Sequence, residues 1–384
     1  MFRKILLCVL SPLSIFLVVS ASRAQSSQDP MAAALDTIFS PLANASSPGV
    51  AVLVRKDGRT VFEHGYGARE LRSFAKIDSQ TNFRLASCSK QFTAMSIMLL
   101  VHEGKLRYED TLTDVFPDFP AYGKAITIRN LLNHTSGLPD YEDLMAAAEK
   151  RKGAAIWTPT HQIQDAEVLD LLKHEAVGKF APGTRWSYSN SGYVVLGLVV
   201  AKISGKPFAQ FLRGRIFAPL GMSGTRAYEK GKSEISQRAY GHSKDGKAWK
   251  ETDQSSTSAT LGDGGIYSSL EDLAKWDEAL AQRTLLSDNE MRPALIPVKL
   301  ADGSQPKWPA DSDRPEGTPA VYGFGWFLDP YRNHARMWHY GDTMGFHSYI
   351  LRLPADRLTV IILCNRTDLD PESLAQKVAD RVLR

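Results

Sequence analysis

Cysteine is scarce in this chain, three in 384 residues, which excludes a disulfide-stapled scaffold. Cys8 lies near the start; Cys88 stands between two serines and Cys364 ends the apolar run Leu358 to Leu363, and the pair is read first as small buried hydrophobes and second as a disulfide. Charge of one sign is equally lacking, with 46 Lys and Arg against 42 Asp and Glu. No Lys/Arg run longer than two residues interleaves with aromatics, so nucleic acid is excluded as a partner. Metal-ligand spacing is missing too: His102-Glu103 and His174-Glu175 lack the later histidine that a zinc-binding helix needs. No Gly-x-Ser-x-Gly elbow occurs.

Long apolar runs are absent but for one. Ile5 to Val19 follows Arg3 and Lys4 and precedes Ser22-Arg23-Ala24, the pattern of a secretory signal peptide cut after Ala24. The run is short and holds Pro12, which argues against a lasting membrane anchor. Cleavage would remove Arg3, Lys4 and Arg23 and no acid, taking the net charge from +4 to +1. An exported protein, periplasmic or extracellular and with no stable membrane span, is therefore expected. The chain as a whole has the composition of a soluble globular protein, 43% hydrophobic and 23% charged.

Periodicity predicts an α+β fold. After a helix near Met31–Leu42, Gly49–Val54 and Thr60–Gly65 read as strands joined by an Asp57-Gly58 turn. The far end repeats the pattern with strands Arg336–Tyr340, His347–Leu353 and Arg357–Cys364 and a final helix Pro371–Leu383. Between them the period becomes helical at Lys90–Glu103, Ile128–Asn133, Ala166–His174, Tyr193–Ser204 and Leu270–Ala281. The expected architecture is an antiparallel sheet from N- and C-terminal strands flanked by helices (25–85 and 290–384), with an inserted, mainly helical domain (86–289). The cleft between the two is the expected site, and the Pro297–Pro319 loop is placed to border it.

Chemistry concentrates in Ser87-Cys88-Ser89-Lys90, at the start of an apolar helix. A serine hydroxyl needs an adjacent base to become a nucleophile. Three residues apart on a helix, Ser87 and Lys90 share a face, and a helix N-terminus disfavours an ammonium. Phe83-Arg84-Leu85-Ala86-Ser87-Cys88-Ser89-Lys90-Gln91-Phe92-Thr93-Ala94 resembles the nucleophile segment of the serine β-lactamase-like superfamily: class C β-lactamases, DD-peptidases and family VIII carboxylesterases. Tyr188-Ser189-Asn190 is similar to that family's Y-x-N motif, and His339-Tyr340-Gly341 to its K-T-G or H-x-G strand.

The resemblance implies a β-lactamase/transpeptidase-like fold and a cofactor-free serine hydrolase acting on a small ester, amide or peptide substrate. Ser87 would be the nucleophile, Lys90 its proton acceptor and Tyr188 a proton relay, the formal base being open between the last two. Lys90, with His339 if charged, would favour a Tyr188 phenolate. Asn190, His339 and Gly341 would contact substrate, Gly341 by letting it approach the strand edge. The backbone N–H groups of Ser87 and Asp342 would form the oxyanion hole. His134 is assigned to packing or hydrogen bonding, and Gly262-Asp263-Gly264-Gly265 to a close-packed approach to the cleft. Tyr340 replaces the usual small hydroxyl residue and Asp342 sets a carboxylate beside the oxyanion, which counts against an efficient β-lactamase. An esterase or DD-peptidase-like amidase is thus favoured, then a class C-like β-lactamase, then a non-catalytic β-lactam or peptidoglycan-fragment sensor.

Overall fold

The computed structural model describes residues 30–310, 312 and 314–384; the signal-peptide reading of 1–24 lies outside the described residues. Five strands form one antiparallel sheet: β1 (Val50–Lys56), β2 (Arg59–Tyr66), β3 (Met337–Thr343), β4 (Phe346–Leu353) and β5 (Leu358–Cys364), in the order β2-β1-β5-β4-β3. The helices that matter most are α1 (Pro30–Phe39), α2 (Lys90–His102), α3 (Asn190–Ser204), α4 (Leu270–Gln282) and α5 (Pro371–Val382). The first strand pairs with the last in a continuous register from Val50↔Cys364 to Lys56↔Leu358. The β1–β2 hairpin turns on Asp57 and Gly58, both at positive φ (52° and 76°), the conformation a two-residue hairpin loop demands.

The sheet is buried on both faces, which is why β1 and β5 read as nearly unbroken apolar runs. Ala51, Leu53, Ile361 and Leu363 face the helical part, whereas Val50, Val52, Val54, Val360 and Ile362 face α1 and α5. Cys88 and Cys364 belong to these two opposite layers and are both free, so the small-hydrophobe reading stands.

On the inner side α2 is buried from Lys90 to Leu100, a mostly apolar helix covered on all sides at the heart of the core. Helix α3 starts at Asn190, earlier than its apolar period indicated, because Ser189 caps it: the Gly192 N–H donates to Ser189 Oγ at 3.0 Å. Elements without a clear sequence period include the polar helix Tyr141–Lys152, a short ladder of Phe83–Arg84 and Arg226–Ala227 on Ile266–Ser268, and the hairpin His242–Asp245/Ala248–Glu251. The Pro297–Pro319 loop buries Trp308 against Trp186 and Phe327, with ring centroids 4.8 and 5.4 Å apart, and so braces the segment leading to Tyr188. Among the described residues no single helix is long and apolar enough to cross a membrane; the bent pair of α3 with Phe208–Phe217 passes only jointly.

Helix α4 is tied to the sheet by one buried carboxylate. Asp277 accepts from Arg55 Nη1 on β1 (2.8 Å), Arg352 Nε on β4 (2.7 Å) and Thr359 Oγ1 on β5 (2.7 Å). Removing it strands the buried Arg352 guanidinium and leaves Arg55 only Glu278, whose Oε2 lies 2.5 Å from its Nη2. Asp277→Ala is expected to cost about 3–5 kcal/mol of unfolding free energy, measured by urea denaturation, whereas loss of a surface pair would cost under ~1 kcal/mol.

Candidate active site

The nucleophile segment arrives through the short ladder, where the Leu85 N–H donates to Ile266 O at 2.9 Å. The chain then passes through Ala86 at φ +47°, a left-handed conformation that a residue bearing a Cβ adopts only under constraint. Ser87 does not begin the helix as expected: it lies in a 3-10 turn, Ala86–Ser89, and α2 begins at Lys90. The tight turn still sets both side chains together. Gln91 clamps it, its Nε2 donating to Cys88 O at 2.7 Å while its Oε1 accepts from Trp276 Nε1 on α4.

Gly341 acts differently from the reading that substrate uses its missing side chain. A Cβ there would sit 2.0 Å from Leu85 O and 3.2 Å from Ala86 Cβ, so the glycine lets β3 close on the nucleophile's own backbone. The constraint at Ala86 and the absent Cβ at Gly341 are two sides of one contact.

Lys90 has no exposed surface, and its Nζ meets three acceptors: Ser87 Oγ at 3.0 Å, Asn190 Oδ1 at 2.8 Å and the backbone oxygen of Asp263 at 2.9 Å. Burial, opposed by Asp263, Cys88, Glu142 and Asp140, brings its pKa down to about 8. Desolvation is therefore the main cause favouring the free amine.

Tyr188 brings its ring to 4.8 Å from Lys90 Nζ, and its buried hydroxyl lies near enough to Ser87 for that hydroxyl to lower its pKa without a bond of full hydrogen-bond geometry. Burial, then Tyr340, push the phenol well above its ordinary value. The expected phenolate is thus not the resting form. Its supposed second cation is absent as well: burial, with Lys90 next, lowers His339 to about 3. The His339 ring is wholly buried, with Nδ1 2.6 Å from Tyr340 O and Nε2 3.1 Å from the Tyr322 hydroxyl. Because a carbonyl only accepts, Nδ1 carries the proton and Nε2 accepts from Tyr322. His339 is therefore a neutral strut in the wall behind Tyr188, not an exposed hand for a carboxylate. Tyr322, fully buried and in a stretch without periodicity, has no signal in the sequence.

His134 fills its expected supporting role. Its Nδ1 accepts from the Ser189 N–H at 3.1 Å, its carbonyl accepts from the Ser187 N–H at 3.0 Å, and its ring lies 4.4 Å from that of Tyr188. Three contacts fix Ser187–Ser189 and hence the approach of Asn190.

The last element is the open edge of β3. The Trp338 N–H donates to Phe327 O, away from β4, and the period of two puts the N–H groups of Tyr340 and Asp342 on that same edge. The Asp342 carboxylate projects from the sheet face opposite Gly341, where its Oδ1 lies 3.1 Å from His347 Nε2. The amide can thus face the cleft while the charge points elsewhere. Among the described residues no group of three or more His, Cys, Asp or Glu is placed to hold a metal ion. Gly341→Ala must push β3 off the nucleophile turn; labelling of Ser87 by a fluorophosphonate should slow by roughly 100-fold, as a misplacement of about 1 Å does, read by intact-mass spectrometry over time.

Known proteins resemble this chain in sequence and in fold. The family model described as Beta-lactamase matches residues 35–383. Penicillin-binding protein 4* of Bacillus subtilis is 33% identical over 363 residues, covering 91% of this chain and 75% of its own. D-aminopeptidase of Gluconobacter oxydans is 26% identical over 367 residues, covering 91% of this chain and 62% of its own length. Among solved structures, D-amino acid amidase from Ochrobactrum anthropi SV3, bound to L-phenylalanine amide, superposes with a TM-score of 0.73 at 25% identity over 92% of this chain and 98% of that one. The chain belongs to the beta-lactamase family of serine hydrolases.

Proposed function

We propose that this protein is an exported amidase or peptidase that works through an acyl-enzyme on Ser87 and also cleaves simple esters. The observation that carries the reading is the set of acceptors around Lys90. As an ammonium, Lys90 donates to all three. As an amine it keeps its two N–H bonds for Asn190 Oδ1 and Asp263 O, neither of which can donate as bound, and its lone pair is left for the Ser87 hydroxyl. That assigns the base to Lys90.

Ser87 Oγ attacks the substrate carbonyl carbon as its proton passes to Lys90 Nζ. The oxygen that gains the electron pair sits between the N–H groups of Ser87 and Asp342, and Asn190 turns its amide NH2 to the acyl group. Tyr188 takes the proton from Lys90 while giving its own to the departing amine or alcohol, so no lasting phenolate is required. Water then attacks the acyl-enzyme along the same relay in reverse, releasing the acid and restoring Ser87 and Lys90. The similarity to penicillin-binding, D-aminopeptidase and D-amino acid amidase proteins supports amide over ester as the main bond. The leader at Ile5 to Val19 supports export. Tyr340 and a neutral His339 in place of a cation favour this reading over a β-lactamase.

Wild-type protein should cleave a p-nitrophenyl ester and an aminoacyl p-nitroanilide, and Ser87→Ala should lose roughly 1,000-fold or more in kcat. Equal, near-zero rates in both would favour a sensor, and rapid nitrocefin turnover a β-lactamase. Only the amine form of Lys90 can accept the proton, so kcat/KM should rise with pH and level off above about 8. A pH–rate profile flat from 6 to 9 would remove Lys90 as the base.

A further inference from the structure

Asp342 carries two groups with opposite effects on an oxyanion, an N–H that stabilises it and a carboxylate that repels it. Because its N–H points to the open edge of β3, Asp342 makes no ladder bond to β4 and stands opposite His347 as a non-hydrogen-bonded pair. Pairs of that kind bring their side chains closest. The geometry that frees the amide thus also sets the carboxylate beside the His347 ring, with Oδ1 3.1 Å from Nε2. Among the described residues this is the only ion pair Asp342 makes, and its side chain is 66% exposed.

Both ring nitrogens of His347 face acceptors. Nδ1 lies 3.1 Å from Leu369 O, and Nε2 faces the carboxylate. A neutral ring would turn a lone pair on one of them, so the arrangement calls for the imidazolium. An exposed carboxyl is a stronger acid than an imidazolium, so the shared proton rests on the ring. The bond to Asp342 raises the ring's pKa against the effect of burial. Other groups around the ring are already paired or uncharged. Cys364, opposite on β5, is a buried thiol pushed up to about 12. Asp368, on the loop that supplies Leu369, is held by Arg366 at 2.7 Å, and Glu372 at the start of α5 by Arg314 at 2.7 Å.

We propose that His347 is a positioning residue for the oxyanion hole: its imidazolium holds the Asp342 carboxylate away from the cleft and offsets its charge, leaving the Asp342 N–H to receive the negative oxygen. The inference rests on the acyl-enzyme reading of Ser87. His347 touches no reacting atom itself. Without its charge, a carboxylate joined to that amide through only Cα and Cβ is free to turn, and its field opposes the charge that develops on the substrate oxygen. Solvent screens so exposed a group, so the effect is modest and grows as salt is lowered. The competing role for His347 is a plain tie between β4 and the Leu369 loop, which has no bearing on the charge of Asp342.

The test uses an uncharged ester, p-nitrophenyl acetate, and the rate of Ser87 labelling by a fluorophosphonate, in wild type, His347→Ala, Asp342→Asn and the double variant. At pH 7 His347→Ala should lower kcat/KM and the labelling rate about three- to tenfold, and adding Asp342→Asn should return most of that loss. The ratio of wild type to His347→Ala should be largest near pH 6 and shrink towards pH 9, where the wild-type ring has itself lost its proton. An unchanged rate in His347→Ala overturns the proposal. So does a loss that Asp342→Asn leaves in place at a constant ratio across pH, which would make His347 a tie to Leu369. NMR titration of the His347 ring in Ser87→Ala reads the pair without turnover and without removing the histidine: adding Asp342→Asn should lower the ring's pKa, and an unmoved value overturns the pairing. Wild-type protein that neither takes the label at Ser87 nor cleaves the ester removes the acyl-enzyme reading and the proposal with it, whereas labelling at Ser87 without rescue removes the proposal alone.

Discussion

A lysine with no exposed surface is costly to keep in a folded protein, and the arrangement around Lys90 exists to make it tolerable and useful. Beside the local Ser87, its acceptors come from two distant segments, one held by an unusually close backbone approach and the other by a helix cap. Gly262, just before Asp263, packs where a Cβ would lie 2.2 Å from Tyr193 O on α3, and Thr93 Oγ1 on α2 donates to Gly262 O at 2.6 Å. The cap at Ser189 aims Asn190 at the same point. Loosening any of these lets the ammonium keep its proton or lose its direction.

Around that single titrating amine the wall is neutral. Burial lowers His134 and His339, and raises Tyr188, Tyr193 and Tyr322. Such a wall relays protons through hydroxyl groups without storing charge.

Much of the scaffold was legible because it follows from simple periods. The terminal strands alternate, the intervening helices repeat every three to four residues, and Ser87, Lys90, Tyr188, Asn190 and Gly341 stand in short motifs whose spacing is local. The rest depends on contacts across the chain. Nothing near Gly341 reveals that Leu85 O will lie against it, and nothing near His339 shows that Tyr322 and a backbone carbonyl will occupy both nitrogens. The residues of the motifs could be read, but the charge on them could not, because charge is set by burial. Tyr141–Lys152 escaped notice for a related reason: only Tyr141 and Met145 are buried, so it has almost no apolar stripe to read.

Pairing the first strand with the last has a further result for how the molecule comes to exist. Val50 cannot find Cys364 until nearly the whole chain has been made, and the edge that carries Asp342 hangs from β4, itself paired with β5. Contacts so distant in sequence carry a large loop-closure entropy and fold slowly. Until the C-terminal strands dock, β1 presents an apolar ribbon with an unsatisfied edge, the kind of surface that recruits other chains. Hydrolytic competence would therefore appear all at once, when β5 docks, and truncation even of that strand should leave an inert, aggregation-prone polypeptide in place of a weakened enzyme.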